Sequence, residues 1–167
     1  MSLRLILTRH AKSSWGDPSL DDHDRPLNAR GRQAAGLIGG WLAARGYQPD
    51  VVLSSTALRA VETWTEITPH LDGDAGVEFS SALYHASPQT MLATLAPRHE
   101  SVVMLIGHNP GIAALAAGLI IARPEHGQFG RYPTGATSVI DFDLDDWRAV
   151  GLNTGRISDF VVPRDLP

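Results

Sequence analysis

The 167-residue sequence predicts a three-layer α/β fold, an α/β/α sandwich with a mostly parallel central sheet. Three observations lead there. Short aliphatic runs alternate with stretches of helical periodicity, the pattern of successive βαβ units. The run "SVVMLIG" at 101–107 is continuously apolar, as expected of a strand covered on both faces. No repeat, linker or low-complexity segment divides the chain, so residues 1–167 read as a single domain of a size that one core can fill.

The elements come in order along the chain. Arg4 to Thr8 predicts a short buried strand, and Leu20 to Pro26 an acidic, irregular stretch with Pro18 and Pro26 as breakers. Asn28 predicts the cap of a helix whose inward residues are Ala34, Leu37, Ile38, Trp41 and Leu42, with Gly46 as its stop. Gly39 and Gly40 inside it cost about 1 kcal/mol each relative to alanine, which close packing against the sheet would explain. "VVLSS" is a second buried strand. Thr56 offers an N-cap for a helix facing inward with Ala57, Ala60, Val61, Trp64 and Ile67. Val77 to Phe79 reads as a short strand. Ser87-Pro88 is a cap followed by proline at the first helical position, leading into Met91, Leu92 and Leu95. After the "SVVMLIG" strand, Pro110 opens a helix carrying Ile112, Leu115, Leu119 and Ile120. Residues 122–136, rich in Gly and Pro, predict an exposed loop. "SVIDFDL" sets Ile140, Phe142 and Leu144 against Val139, Asp141 and Asp143, so one face of that strand is expected to be wet. Arg156 to Val162 predicts the last strand.

Composition excludes several classes of function. Hydrophobic residues make up 43% and charged residues 19%, ordinary for a globular chain. The net charge of −4 argues against a nucleic-acid partner, which usually calls for a basic face. Without cysteine there is no disulfide, thiolate catalysis or thiolate-bound metal. No apolar run spans a bilayer and the N-terminus does not resemble a signal peptide, so the expected place is the cytoplasm, with no membrane partner.

Four residues carry the chemistry. Arg9 and His10 come directly after the first strand, Arg59 lies one short turn beyond the second, and His108 comes after the central apolar strand. Ligands of open α/β sheets bind outside the carboxyl ends of the strands. If these three strands are parallel neighbours, the four side chains share one rim. Arginine forks suit phosphoryl oxygens, and a neutral histidine is a competent nucleophile. Taken singly, each residue has a plainer reading. Arg9 would be a surface cation and His10 a satisfied structural histidine. Arg59 would pair with Glu62 one helical turn on. His108 would cap its loop, with Asn109 as helix N-cap.

"TRHAKS", "RPLNARG", "VLSSTALRAVET" and "IGHNPG", then "YPTGATSV", accompanied by "LYHA", resemble in this order the histidine phosphatase superfamily, in particular its small SixA-type phosphohistidine phosphatase branch. The resemblance covers nearly the whole chain. It implies a phosphoglycerate mutase-like fold and a phosphatase in which His10 is the phosphorylated nucleophile. It makes Arg9 and Arg59 phosphate clamps, and His108 a contact on the opposite side of the phosphoryl group. Arg25 resembles a further pocket arginine, its plain alternative being an ion pair with Asp21, Asp22 or Asp24. Thr134 approaches the site on the same grounds, or merely forms a turn. Lys12, Ser13 and Trp15 belong to the first motif without an evident task.

Two departures bear on the substrate. The mutase branch has Arg-His-Gly-Glu with Trp-Asn a few residues on, where this chain has Ala11, Lys12, Trp15 and Gly16. No Asp or Glu lies between Glu78 and Glu100, the stretch where a proton donor for an alcohol leaving group is expected. Phosphohistidine needs no such donor, because its imidazole departs readily. The expected substrate is therefore phosphohistidine on a protein partner, with Tyr84, His85 or a distant residue as the other possible donors. No cofactor is expected. No metal is expected either: seven histidines are present without a His-x-x-x-His pair, and zinc is the lesser reading. The alternatives are a phosphomonoesterase acting on a small phosphorylated molecule and a non-catalytic phosphate-binding module, the latter disfavoured because binding alone has no need of His10.

Overall fold

The computed structural model describes residues 2–167. Six strands form one sheet: β1 (Leu3–Arg9), β2 (Val51–Ser55), β3 (Gly76–Ser80), β4 (Val102–Gly107), β5 (Thr137–Phe142) and β6 (Gly155–Val161), in the order β3-β2-β4-β1-β5-β6. The pairings β2–β3, β2–β4 and β1–β4 are parallel, and only β5 runs against its neighbours. The four main helices are α1 (Ala29–Arg45), α2 (Leu58–Ile67), α3 (Pro88–Leu95) and α4 (Gly111–Leu119).

The period-two alternation of each strand builds the layers. Leu5, Leu7, Leu53, Val103 and Leu105 point to one face, where they pack with Met91, Leu95, Ile112, Leu115 and Leu119 of α3 and α4. Ile6, Val52, Met104 and Ile106 point to the other, against Ala35, Ile38, Leu42, Ala60, Trp64 and Ile67 of α1 and α2. Both faces are covered, so the strands read as continuous apolar runs. No helix among the described residues is long and apolar enough to cross a membrane.

Local signals act as expected at α1 and α3. The Asn28 side chain accepts from the Gly31 amide, Gly46 closes α1 at φ 72°, and Ser87 accepts from the Thr90 amide ahead of Pro88. Four expectations fail. Thr56 does not cap α2: Ala57 holds that position and its amide is satisfied by the Ser55 hydroxyl, while Thr56 bonds His23. Gly39 is small because a Cβ would meet Ile67 and His70, which lie at and beyond the end of α2 rather than on the sheet; Gly40 has no such close neighbour. The 122–136 loop is not merely exposed, since Phe129, Tyr132 and Ala136 are buried. Tyr132 places its hydroxyl 2.6 Å from the Leu7 carbonyl, which fastens the loop to β1. The second face of β5 is wet only toward its end: Val139 is fully buried, Asp141 is half-buried and paired with Arg4, and Asp143 just beyond is exposed.

Candidate active site

Parallel pairing places the carboxyl ends of β2, β4 and β1 side by side, with Arg9 opposite Gly107 and Ser54 opposite Ile106. Residues just past those ends are thereby brought together in space. A cleft of about 350 Å³ opens there, lined by Arg9, His10, Arg59, His108, Arg25 and Thr134, all six positions singled out from sequence.

His10 is buried, and its neighbours decide its state. Ring Nδ1 lies 2.7 Å from the Ala11 carbonyl oxygen. A carbonyl only accepts, so Nδ1 carries the proton and Nε2 keeps its lone pair. The Ala11 peptide is itself held from below: its amide donates to the Thr63 hydroxyl at 2.9 Å, and that hydroxyl donates to the Arg59 carbonyl at 2.7 Å. On the far side, the Gly135 amide lies 3.0 Å from the His10 carbonyl and 3.1 Å from that of Arg9, with Gly135 at φ 80°. Burial pushes the His10 imidazole down to about 3, with Arg9, Arg59 and Arg25 adding to the effect and the Ala11 carbonyl opposing it. At neutral pH the ring is uncharged and nucleophilic.

His108 faces it, the two ring centroids 5.1 Å apart. Its Nε2 lies 2.7 Å from the Ser55 hydroxyl and its Nδ1 3.4 Å from an Arg59 nitrogen. Arginine only donates, so Nδ1 accepts and Nε2–H donates to Ser55. Burial lowers this imidazole too, to about 3, helped by His10, Arg59 and His85.

Arg59, only 2% exposed, is paired with Asp22 at 3.0 Å and not with Glu62, whose carboxylate receives the Leu27 amide and Arg32 instead. Arg25 also pairs with Asp22, at 3.1 Å, and donates to the Ser13 hydroxyl and the Ser14 carbonyl. Arg25 thus makes the ion pair with Asp22 and also lines the cleft. Its guanidinium lies under Trp15, 3.5 Å from the ring centre, while 78% of Trp15 remains in water. Arg9 gives one nitrogen to the Tyr132 carbonyl. The Nε–H groups of Arg9 and Arg59 are buried without an acceptor among the described residues. Unmet buried donors are costly, by about 1–3 kcal/mol each.

The carboxylate of this cleft comes from well outside the Glu78–Glu100 stretch. It is Asp22, from the irregular segment before α1, and it gathers Arg59, Arg25, the Tyr84 hydroxyl and His85. Sequence reasoning offers Asp21, Asp22 and Asp24 together as partners for Arg25 and connects none of them with Arg59. The tyrosine hydroxyl foremost, then Arg59 and His85, hold Asp22 well below the usual carboxylate range despite partial desolvation. Sequence reasoning also misses Ser55 and Thr63 as positioning groups; only their places at a strand end and four residues after Arg59 could have pointed to them. No cluster of three or more His, Asp or Glu side chains among the described residues is arranged to hold a metal ion.

Residues 5–84 match the model of the histidine phosphatase superfamily (branch 1). The chain is 34% identical to protein Rv1276c of Mycobacterium tuberculosis over 163 residues, covering 93% of this chain and 99% of the other. A relative from Arabidopsis thaliana is 37% identical over 122 residues, which cover 66% of this chain and 56% of that one. Among solved structures, a proposed phosphohistidine phosphatase SixA from Nakamurella multipartitia superposes with a TM-score of 0.82 at 29% identity, covering 98% of this chain and 97% of that one. A second proposed SixA, from Agrobacterium tumefaciens, gives a TM-score of 0.79 at 31% identity, covering 96% and 98%.

Proposed function

The chain belongs to the histidine phosphatase superfamily, and from that membership we propose that it hydrolyses phosphohistidine on a protein partner, through phospho-His10 and without a metal. One observation carries the reading: a neutral imidazole whose Nε2 has no partner among the described residues, beside two arginines whose buried Nε–H groups lack acceptors among them. Those donors fit the oxygens of a phosphoryl group, and the uncharged ring fits attack at its phosphorus.

The reaction runs in two displacements. His10 Nε2 forms a bond to phosphorus as the bond to the leaving imidazole breaks. Arg9, Arg59 and Arg25 hold the equatorial oxygens; His108, its one N–H given to Ser55, keeps Arg59 in place beside them, and Thr134 also lines the cleft. Preorganised positive charge around a transferring phosphoryl group is the main catalytic requirement, and here guanidinium groups supply it. Water then cleaves phospho-His10. Asp22 is fully engaged as an anion and is no proton donor, which suits a leaving group as good as imidazole. The likeness to two proposed SixA proteins supports the same substrate class. A phosphomonoesterase of small molecules is the second reading, favoured by a cleft of about 350 Å³ that holds a sugar phosphate without a protein partner.

Incubation with a phosphohistidine peptide carrying labelled phosphate, then alkaline quenching, should leave label on His10 and none on His10→Ala. Turnover of the peptide should exceed that of p-nitrophenyl phosphate. An unlabelled protein that still releases phosphate would refute phospho-His10, and faster turnover of the ester would refute the substrate.

A further inference from the structure

At the mouth of the cleft stands a side chain that the two displacements leave unused. His85 lines the cavity, its ring centroid 5.2 Å from that of His108, which in turn stacks near His10. Its Nε2 lies 3.2 Å from Asp22 Oδ2. A carboxylate in that state only accepts, so Nε2 carries a proton, and Nδ1 has no hydrogen-bond partner among the described residues. The backbone adds a separate observation. His85 sits at φ 53°, in the left-handed region, where a non-glycine residue costs about 1–2 kcal/mol. The segment is clamped there, because the Ala86 carbonyl lies so close to Gly111 that a Cβ on that glycine would be 1.9 Å from it. Strain maintained by packing beside a reactive cleft points to a required orientation of the side chain.

The other proton carriers at the mouth are occupied. Asp22 is ionised and paired with both Arg59 and Arg25, and the Tyr84 hydroxyl is committed to Asp22. Among the described residues, Asp22, Tyr84 and His108 are ionisable groups in contact with His85, with Arg59 behind Asp22.

We infer that His85 protonates the leaving group, with Asp22 as the positioning residue that fixes its ring; the assignment rests on the phospho-His10 reading above. In the first displacement, His10 Nε2 bonds to phosphorus and the bond from phosphorus to the leaving atom breaks. The electron pair stays on the leaving atom, which takes the proton from Nδ1 of protonated His85. In the second, neutral His85 takes a proton from the attacking water as its oxygen bonds to phosphorus. The bond to His10 breaks, its electron pair returns to Nε2, and phosphate leaves. This acid also extends the enzyme's reach to phosphate esters, whose leaving oxygens need a proton more than imidazole does.

The test grades the leaving group. Phenyl phosphate releases a phenol that holds its proton to about pH 10, whereas dinitrophenyl phosphate releases a stable anion. His85→Gln should lose at least about ten times more rate on phenyl phosphate than on dinitrophenyl phosphate. His85→Gly suits the left-handed backbone and leaves room for a free ring, so added imidazole should restore part of its rate on phenyl phosphate. Equal losses on both esters, no loss at all, or no rescue by imidazole would each overturn the assignment. A phosphohistidine peptide run alongside separates the readings. Failure to turn over the peptide, with the graded ester loss intact, removes the proposed substrate and leaves His85 in its role. A wild-type protein inert to every substrate defeats both.

Discussion

Replacing Thr63 by valine tests how the nucleophile is held. Thr63 is 1% exposed, and valine has its shape, so no cavity opens. What disappears is the hydroxyl that accepts the Ala11 amide and donates to the Arg59 carbonyl. The Ala11 amide is then buried without an acceptor, which costs about 1–3 kcal/mol. For a domain of this size, each kcal/mol lowers Tm by roughly 2–4 °C, so calorimetry should record a fall of about 4–8 °C for a central loss near 2 kcal/mol. The Ala11 carbonyl also loses its anchor, and with it the His10 Nδ1 lock, so kcat on the phosphohistidine peptide should drop alongside Tm. Thr63→Ser keeps the hydroxyl and should recover most of both losses. If serine proves as damaging as valine, the buried methyl matters as much as the hydroxyl, and the hydrogen bonds alone do not account for the site. An unchanged Tm in Thr63→Val would refute the reasoning outright.

The same geometry sets three other outcomes. Both His10 and His108 are held near 3 against an ordinary 6.5, so the unfolded chain takes up protons first as pH falls. Stability is therefore fully present above about pH 6.5 and declines from there toward 3, by about 3 kcal/mol per histidine at pH 4.5. Urea titrations across that range should show the slope, and His10→Asn should lessen it; a flat profile contradicts the burial argument. Gly111→Ala drives a Cβ into the Ala86 carbonyl, a backbone clash that no rotamer relieves, and should lower stability by about 1–3 kcal/mol in a thermal melt. Asp22→Asn removes the anion that occupies Arg25 and Arg59, so calorimetric titration with inorganic phosphate should show roughly five-fold tighter binding. Weaker binding would mean that Asp22 aids the anion rather than competing with it.

The sequence by itself determined the six strands, the order in which helices separate them, and the four residues that lie at or shortly beyond the carboxyl ends of β1, β2 and β4. These were legible because local physics governs them. A continuous apolar run has nowhere to go but between two layers, and a residue placed just past a parallel strand emerges at the sheet's carboxyl rim. Tertiary structure alone decided which aspartate reaches the arginines, that Thr63 and Ser55 brace the two histidines, and that His85 joins Asp22 at the mouth. It also buried Tyr132 within a stretch whose Gly and Pro content reads as open loop. Pairings such as Asp22 with Arg59 span 37 residues and His85 with Asp22 span 63. They depend on how separate segments pack over the sheet edge, and no spacing rule along the chain encodes that approach.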